Sequence, residues 1–283
     1  MIKLCLNINF ILIFLISFSH KIYAEETLIF AVHPFLPSSE LEKKFNPLVN
    51  YLSQQSGLDI TLKIGSNYEE HIEYIGSDKV DIAFMGPVSY VKLVNLFGQK
   101  PLLAKLEING QSFFQGNIIV RNDSGIKSLA DLKGKRIALG DINSTMSYIV
   151  PHHLLHRTDV FSKQNIKHQL LPTHDDIALA VLAGDFDAGA VKPAVFKHYE
   201  KDGLVILAKT PKISEHLFVT RSNLPKKQIQ LFRQILINMK NTSEGLSILQ
   251  GIKKGISGLV SVKESDYSNL QKIILENEYL HKD

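Results

Sequence analysis

Two ten-residue stretches of the chain, D-I-A-F-M-G-P-V-S-Y from Asp81 and D-A-G-A-V-K-P-A-V-F from Asp187, follow one plan. Each has an acid, four residues of short strand, one further residue, a proline, and an aromatic at the tenth place. Asp187 stands 106 residues after Asp81, and at that same offset Asn67-Tyr68 meets Thr173-His174, each pair following an apolar run and opening a helical segment that ends in a glycine turn. At nearly the same offset A-V-H-P (Ala31 to Pro34) meets A-L-G-D (Ala138 to Asp141). Three markers in one register imply two related units whose corresponding segments take corresponding places.

Within each unit apolar strand-like runs alternate with helical patterns. L-I-F-A-V is followed by Leu41, Phe45, Leu48, Val49 and Leu52 at the spacing of one helix face, and then by I-T-L-K-I. Asn46-Pro47 has the form of an N-cap and first helical residue, which predicts that the helix restarts or kinks there. Such alternation predicts an α/β fold of mostly parallel sheets flanked by helices. The expected organisation is lobe one from residues 25–111 and 211–283, and lobe two from 112–210. The runs F-F-Q-G-N-I-I-V and H-L-F-V-T are expected as two crossing strands, and the helical tail is expected to return to lobe one. Two hinged α/β lobes enclose a cleft, with ligands beyond the carboxyl ends of the strands.

The first 24 residues, with Lys3, an apolar core from Ile8 to Phe18 and Ala24 at the end, have the pattern of a cleavable signal peptide. A spanning helix would need about 20 apolar residues, and Ser17, Ser19, His20 and Lys21 interrupt this run. The single cysteine, Cys5, lies inside that leader and ahead of its apolar core, so neither a disulfide nor a lipid-anchored cysteine is expected. Export to a periplasm is the expectation. The formal charge of +4 includes Lys3 and Lys21, and no block of like charge occurs, which gives no footing for nucleic acid.

The predicted strand-end loops are His33-Pro34-Phe35, Asn67-Tyr68, Gly86-Pro87 to Tyr90, Asp141 to Ser147, Thr173-His174-Asp175 and Lys192-Pro193. Lobe one supplies mainly aromatics, and lobe two mainly hydroxyls and a histidine. In S-T-M-S-Y-I-V-P, Ser144 to Pro151, three hydroxyls precede a helix with no Lys or Arg among them. Helix starts carry unpaired N–H groups and the positive end of the dipole, so neutral donors there suit an oxyanion. An ordinary capping cluster reads equally well from the pattern. His174 can donate to an anion from one ring nitrogen while a neighbour fixes the other. Asp175 reads as a helix cap or a ligand contact, Tyr68 and Tyr90 as cleft or core residues, and Lys192 as a solvated surface lysine.

Enzyme readings find little. His152 and His156 in H-H-L-L-H have metal-pair spacing, but His153 stands where a zinc protease needs Glu, and an exposed helix face is the plainer reading. A triad of Ser144, His174 and Asp175 lacks a G-x-S-x-G elbow, and an adjacent Asp is poorly disposed to orient the ring. No glycine-rich phosphate loop occurs. No cofactor, metal or catalytic residue is expected.

Taken in order, F-N-P-L-V-N-Y-L-S-Q-Q-S-G, V-D-I-A-F-M-G-P-V-S-Y, S-L-A-D-L-K-G-K-R-I-A-L-G-D-I-N-S-T-M-S-Y-I-V-P, T-H-D-D-I-A-L-A-V-L-A-G-D-F-D-A-G-A-V and I-L-A-K-T-P resemble the phosphate/phosphite/phosphonate-binding proteins of ABC transporters, a group of type II periplasmic binding proteins. The resemblance runs from about Thr27 to Leu224. It implies a soluble two-lobed receptor, expected as a monomer, that closes on a small oxyanion of the phosphonate or phosphite class and delivers it to a membrane permease. The alternative partner is the ectodomain of a sensor kinase. The family's usual anion run is S-T-S-G: Ser144 and Thr145 match its first two places, Met146 replaces the third residue and Ser147 the glycine. His174 and Asp175 match its histidine and acidic residue. The resemblance thus implies that Ser144, Thr145 and Ser147 hold the anionic oxygens, that His174 adds a donor, and that Asp175 orients it or binds a cationic substituent. Tyr68, Tyr90, Gly86, Pro87 and the turn with Pro34 and Phe35 would cover the ligand from lobe one. A thioether at Met146 cannot donate to a phosphonyl oxygen, which leaves a sulfur-based oxyanion open.

Overall fold

The computed structural model describes residues 27–158, 160 and 168–282, so the expected leader lies outside the described residues. Two mixed sheets form the body of the protein. The first contains β1 (Leu28–Val32), β2 (Ile60–Ile64), β3 (Ile82–Met85), β4 (Leu102–Ile108), β12 (Leu217–Thr220) and β13 (Ile256–Val260), in the order β13-β4-β12-β3-β1-β2. The second contains β6 (Asn117–Arg121), β7 (Ile137–Leu139), β8 (His168–Leu170), β9 (Ala188–Val191) and β10 (Leu204–Lys209), in the order β10-β6-β9-β7-β8. Between them β5 (Phe113–Phe114) pairs antiparallel with β11 (Ile213–Ser214) as a short ribbon.

The parallel part of each sheet is a three-stranded unit: β1 between β2 and β3, and β7 between β8 and β9. The remaining strands pair antiparallel, with β6 and β12 entering directly from the connections. F-F-Q-G-N-I-I-V divides between β5 and β6, and L-F-V-T is β12, inside the first sheet. The connections themselves therefore run through the β5–β11 ribbon.

The repeated aspartates perform the same task twice. Asp81, at the head of β3, accepts from the Ile29 N–H of β1 (2.7 Å) and from Arg221 Nε (2.6 Å). Asp187, at the head of β9, accepts from the Arg136 N–H just before β7 (2.8 Å), with Arg136 Nε at 3.5 Å. Each carboxylate satisfies a main-chain donor at the start of a central strand and so fixes the register of the parallel pair. The prolines of the repeat begin α3 (Pro87–Phe97) and α6 (Pro193–Tyr199), and the offset pair Tyr68 and His174 begin α2 (Tyr68–Gly76) and α5 (His174–Ala183). The ends α2, α3, α5 and α6 present to the cleft are thus N-termini.

Helix α1 (Ser38–Ser56) departs from the predicted restart at Asn46-Pro47, because it begins at Ser38 and runs through Pro47. Proline removes one helical hydrogen bond, yet Leu41, Phe45, Leu48, Val49 and Leu52 remain buried on one face, and burial of such side chains contributes about 1.5–3 kcal/mol each. Helices α7 (Lys226–Asn238) and α8 (Ser243–Ile252) join α1 over one face of the first sheet. Helix α9 (Ser268–Lys282) differs from a tail returning to one lobe. It packs on α3 and also on α4 (Val150–Arg157) of the second lobe, where Asn277 Nδ2 donates to the Ile149 carbonyl (2.9 Å). One apolar cluster accordingly runs from the first sheet through α3 and α9 to the second. Among the described residues no helix is long and apolar enough to cross a membrane.

Helix α5, which carries His174, lies close against β9 at Gly189. A Cβ there would come within 2.5 Å of Ile177 Cγ2 and 3.0 Å of Val181 Cγ2, both on fully buried side chains. The equivalent place in the first repeat is Ala83. Gly189→Ala is therefore expected to lower unfolding free energy by about 1–3 kcal/mol through overpacking, measured by urea denaturation. A change below about 0.5 kcal/mol would show that the contact has room.

Candidate ligand-binding site

The turn that follows β7 is wide because of Pro151. Ser147 would ordinarily receive an N–H from the residue four places on, but Pro151 has none. The Ser147 carbonyl instead accepts from the Gly140 N–H (2.9 Å), and residues Thr145–Ile149 form a π-type turn in which the Ile149 N–H reaches the Ser144 carbonyl (3.0 Å). The first N–H groups of this turn, on Thr145 and Met146, have no acceptor within it.

Ser144 accepts twice, from the Ser147 N–H (3.2 Å) and from the Ser147 hydroxyl (2.7 Å). With its lone pairs occupied, its own O–H is left to point outward as a donor. Thr145 is half-buried, and its hydroxyl has no partner among the described residues. Ser147 is not a second open donor as expected. It is 3% exposed, gives its proton to Ser144, and fills space that exists because residue 140 is glycine, where a Cβ would lie 2.1 Å from Ser147 Oγ. Met146 also departs from the expected ligand-facing place. Its sulfur lies 3.6 Å from Thr210 Oγ1, its side chain packs over Gly116, and it is 3% exposed, so it belongs to the crossing between the lobes.

His174 opens α5, where Thr173 and Asp176 form a reciprocal capping box. The cap is thus Thr173, with Asp176 closing the box, and not Asp175. Nor does Asp175 orient His174: the ring is fixed by the Lys192 main-chain N–H, which donates to its Nδ1 (3.2 Å). That bond leaves the proton on Nε2. Burial, aided by the Lys192 charge, pulls His174 down to about 4, so it is a neutral donor at pH 7. Asp175 lies instead near Tyr199 and Lys192. Lys192 is exposed at the start of α6.

The first lobe offers a ring-lined wall. Tyr68 is half-buried, and burial followed by the charge of Asp141 pushes its phenol up to about 12, which places it opposite the second lobe's turn. Lys92 on α3 donates to Asn143 Oδ1 in that same turn, so α3 of the first lobe reaches the second lobe's loop. His33 stacks on Phe84 (5.6 Å) and His216 (5.9 Å), with Tyr68 at 5.3 Å and Phe35 at 4.8 Å. Pro34 is half-buried after His33, and Phe35 is exposed. Gly86 caps α3 and Pro87 is its buried first residue; a Cβ on Gly86 would lie 3.8 Å from the Nε2 atoms of both His33 and His216. Tyr90 is buried against Tyr267 (4.8 Å), which makes it part of the wall's packing.

Three residues of this wall escaped the sequence reading: His71, His216 and Glu215. His71 lies three places after Tyr68 and so shares its helix face. His216 follows the polar pair Ser214-Glu215 inside an otherwise apolar returning segment. Glu215 is 1% exposed, and its carboxylate takes His216 Nδ1 (3.1 Å) and Lys253 (3.5 Å). Burial opposes its charge, but these partners hold its carboxyl below the usual range. The H-H-L-L-H face is buried, not exposed: His152 stacks on Tyr148 (5.0 Å) and His153 lies 3.5 Å from Glu276 of α9.

The chain as a whole, rather than this site, is what known proteins match. The family described as the periplasmic substrate-binding protein of phosphonate ABC transporters matches residues 30–267. The chain belongs to this phosphonate-receptor family. A phosphate-import protein PhnD from Mycolicibacterium smegmatis is 32% identical over 174 residues, which cover 58% of this chain and 54% of that protein. The chain thus spans about half the length of that relative. A phosphonates-binding periplasmic protein from Escherichia coli is 24% identical over 246 residues, 83% of this chain and 73% of that one. The fold of this phosphonate-receptor family member is that of PhnD1 from Prochlorococcus marinus in complex with methylphosphonate, with a TM-score of 0.76, 20% identity, and coverage of 90% of this chain and 99% of that one.

The buried histidines make stability pH-dependent. His71 and His174 both lie near 4, and burial, with the nearby His71 and His216, places His33 well below 6.5. Between those values the unfolded chain takes up protons that the folded one does not, so stability rises with pH. It is fully present above about pH 6.5 and is lost progressively as pH falls toward about 4. Thermal denaturation from about pH 7.5 down to about pH 4.5 should show a falling midpoint; a flat profile would contradict these placements.

Proposed function

We propose that this protein captures a small oxyanion of the phosphonate class between its lobes and presents it to the permease of an ABC transporter. The observation that carries this reading is the donor set of the second lobe. The outward Ser144 hydroxyl, the Thr145 hydroxyl with no partner among the described residues, the first N–H groups of the turn and the fixed Nε2–H of His174 are all neutral donors. An anion's oxygens satisfy such a set, and hydrogen bonds to a charged group contribute roughly 1.5–3 kcal/mol each. Dissociation stays possible because no full cation has to be separated from the ligand. Support also comes from the relatives, whose names give phosphate, phosphonates and methylphosphonate as what they import or bind.

Calorimetry tests the assignment directly. Thr145→Ala and His174→Ala should each weaken methylphosphonate binding about tenfold or more while leaving the protein folded, as expected for one lost charge-assisted bond. Unchanged affinity in both variants would remove the second-lobe turn from the site. In a thermal-shift comparison, a ligand at about 100 times its dissociation constant adds about 2.7 kcal/mol to the folded state. Methylphosphonate or phosphite should therefore raise the melting midpoint, and no rise with either would exclude the ligand class.

A further inference from the structure

Two histidines of the first lobe share one acceptor. His33 Nδ1 lies 3.2 Å and His71 Nε2 3.1 Å from the Phe84 carbonyl oxygen. A carbonyl only accepts, so each of these nitrogens carries its ring's proton. His33 is 1% exposed, and burial next to His71 and His216 keeps it from taking a second proton. Its Nε2 is therefore a bare lone pair, and it lies beside Gly86 together with His216 Nε2. His216 sends its own Nδ1 proton to the buried Glu215 carboxylate. The second lobe thus offers donors and this corner of the first lobe offers an acceptor.

Among the described residues no hydrogen bond reaches His33 Nε2 from the groups around it. His71 and Tyr68 face it from α2, Phe84 from β3, His216 from the segment before β12, and Phe35 from its own loop. The nearest charges act through neighbours: Glu215 and Lys253 through His216, and Asp141 through Tyr68. A fully deprotonated oxyanion would set lone pair against lone pair at Nε2. A phosphonic acid loses its second proton near neutrality, so its monoanion still has one O–H, whereas a sulfonate has none.

Resting on the reading that the cleft takes a phosphonate-class oxyanion, we propose that His33 is a specificity-determining residue: its Nε2 accepts the P–O–H hydrogen of a singly protonated ligand, so that the cleft takes the monoanion and discriminates against sulfonates. The proton belongs to the ligand and stays with it; no bond is made or broken at phosphorus.

The test is calorimetry of the purified protein with methylphosphonate and methanesulfonate, in buffers of different ionisation enthalpy, so that protons taken up on binding are counted. At about pH 8.5, above the ordinary imidazole range, methylphosphonate is mostly dianionic and should bind with uptake of close to one proton. Methanesulfonate should bind at least tenfold more weakly and without uptake. His33→Phe keeps the ring but not the acceptor, and should lose about tenfold in methylphosphonate affinity, the size of one hydrogen bond, together with the proton uptake. Should that variant not fold, the wild-type proton count decides alone. Methylphosphonate bound with no uptake, equal uptake with methanesulfonate, or a folded His33→Phe protein that keeps both affinity and uptake would each overturn the assignment. Failure of methylphosphonate to bind at any pH would overturn the ligand class, and this assignment with it.

Discussion

Two carboxylates, Asp81 and Asp187, hold the head of a central strand to the head of its parallel neighbour, and the rest of the architecture follows from that restraint. Parallel pairs carry no hairpin to set their register, so a side chain that meets a main-chain N–H at the strand start does the work a turn does elsewhere. With β1 and β3 aligned, and β7 and β9 aligned likewise, their far ends finish together. The loops leaving those ends carry His33, Gly86, the turn at Ser144 and the start of α6. The cleft is a by-product of where the strands stop.

What the cleft presents is set by which groups are already occupied. In the second lobe Ser147 fills Ser144's acceptor sites and the Lys192 N–H fills that of His174, so what remains on both is a proton. In the first lobe the Phe84 carbonyl consumes the proton of His33, so what remains is a lone pair. Neither face relies on a full charge. The buried Glu215 carboxylate, paired also with the exposed Lys253, sits behind His216, where it fixes a ring orientation.

The repeat made the fold legible in the sequence because its residues act locally: an aspartate pegs the next strand, a proline starts the next helix, and Tyr68 and His174 follow N-caps at one offset. Ser144, Thr145 and His174 stand out as candidates for the same reason, each lying at a helix start. Misplacements arose where a neighbour remote in sequence decides the outcome. Gly140 gives Ser147 a place to turn inward, Thr210 and Gly116 draw Met146 toward the crossing, and Lys192 displaces Asp175 as the partner of His174. The helix through Pro47 persists because its apolar face is covered by α7 and α8, which the local pattern does not contain. His71 and His216 are 145 residues apart, and only folding brings both to the ring of His33.

Helix α9 reaches across both lobes and, through Asn277, takes hold of the carbonyl of Ile149, the last residue of the turn that carries Ser144 and Thr145. Helix α9 is thereby coupled to that turn by one amide. Because α9 also packs on α3, the position of that turn is tied to elements on both sides of the cleft at once.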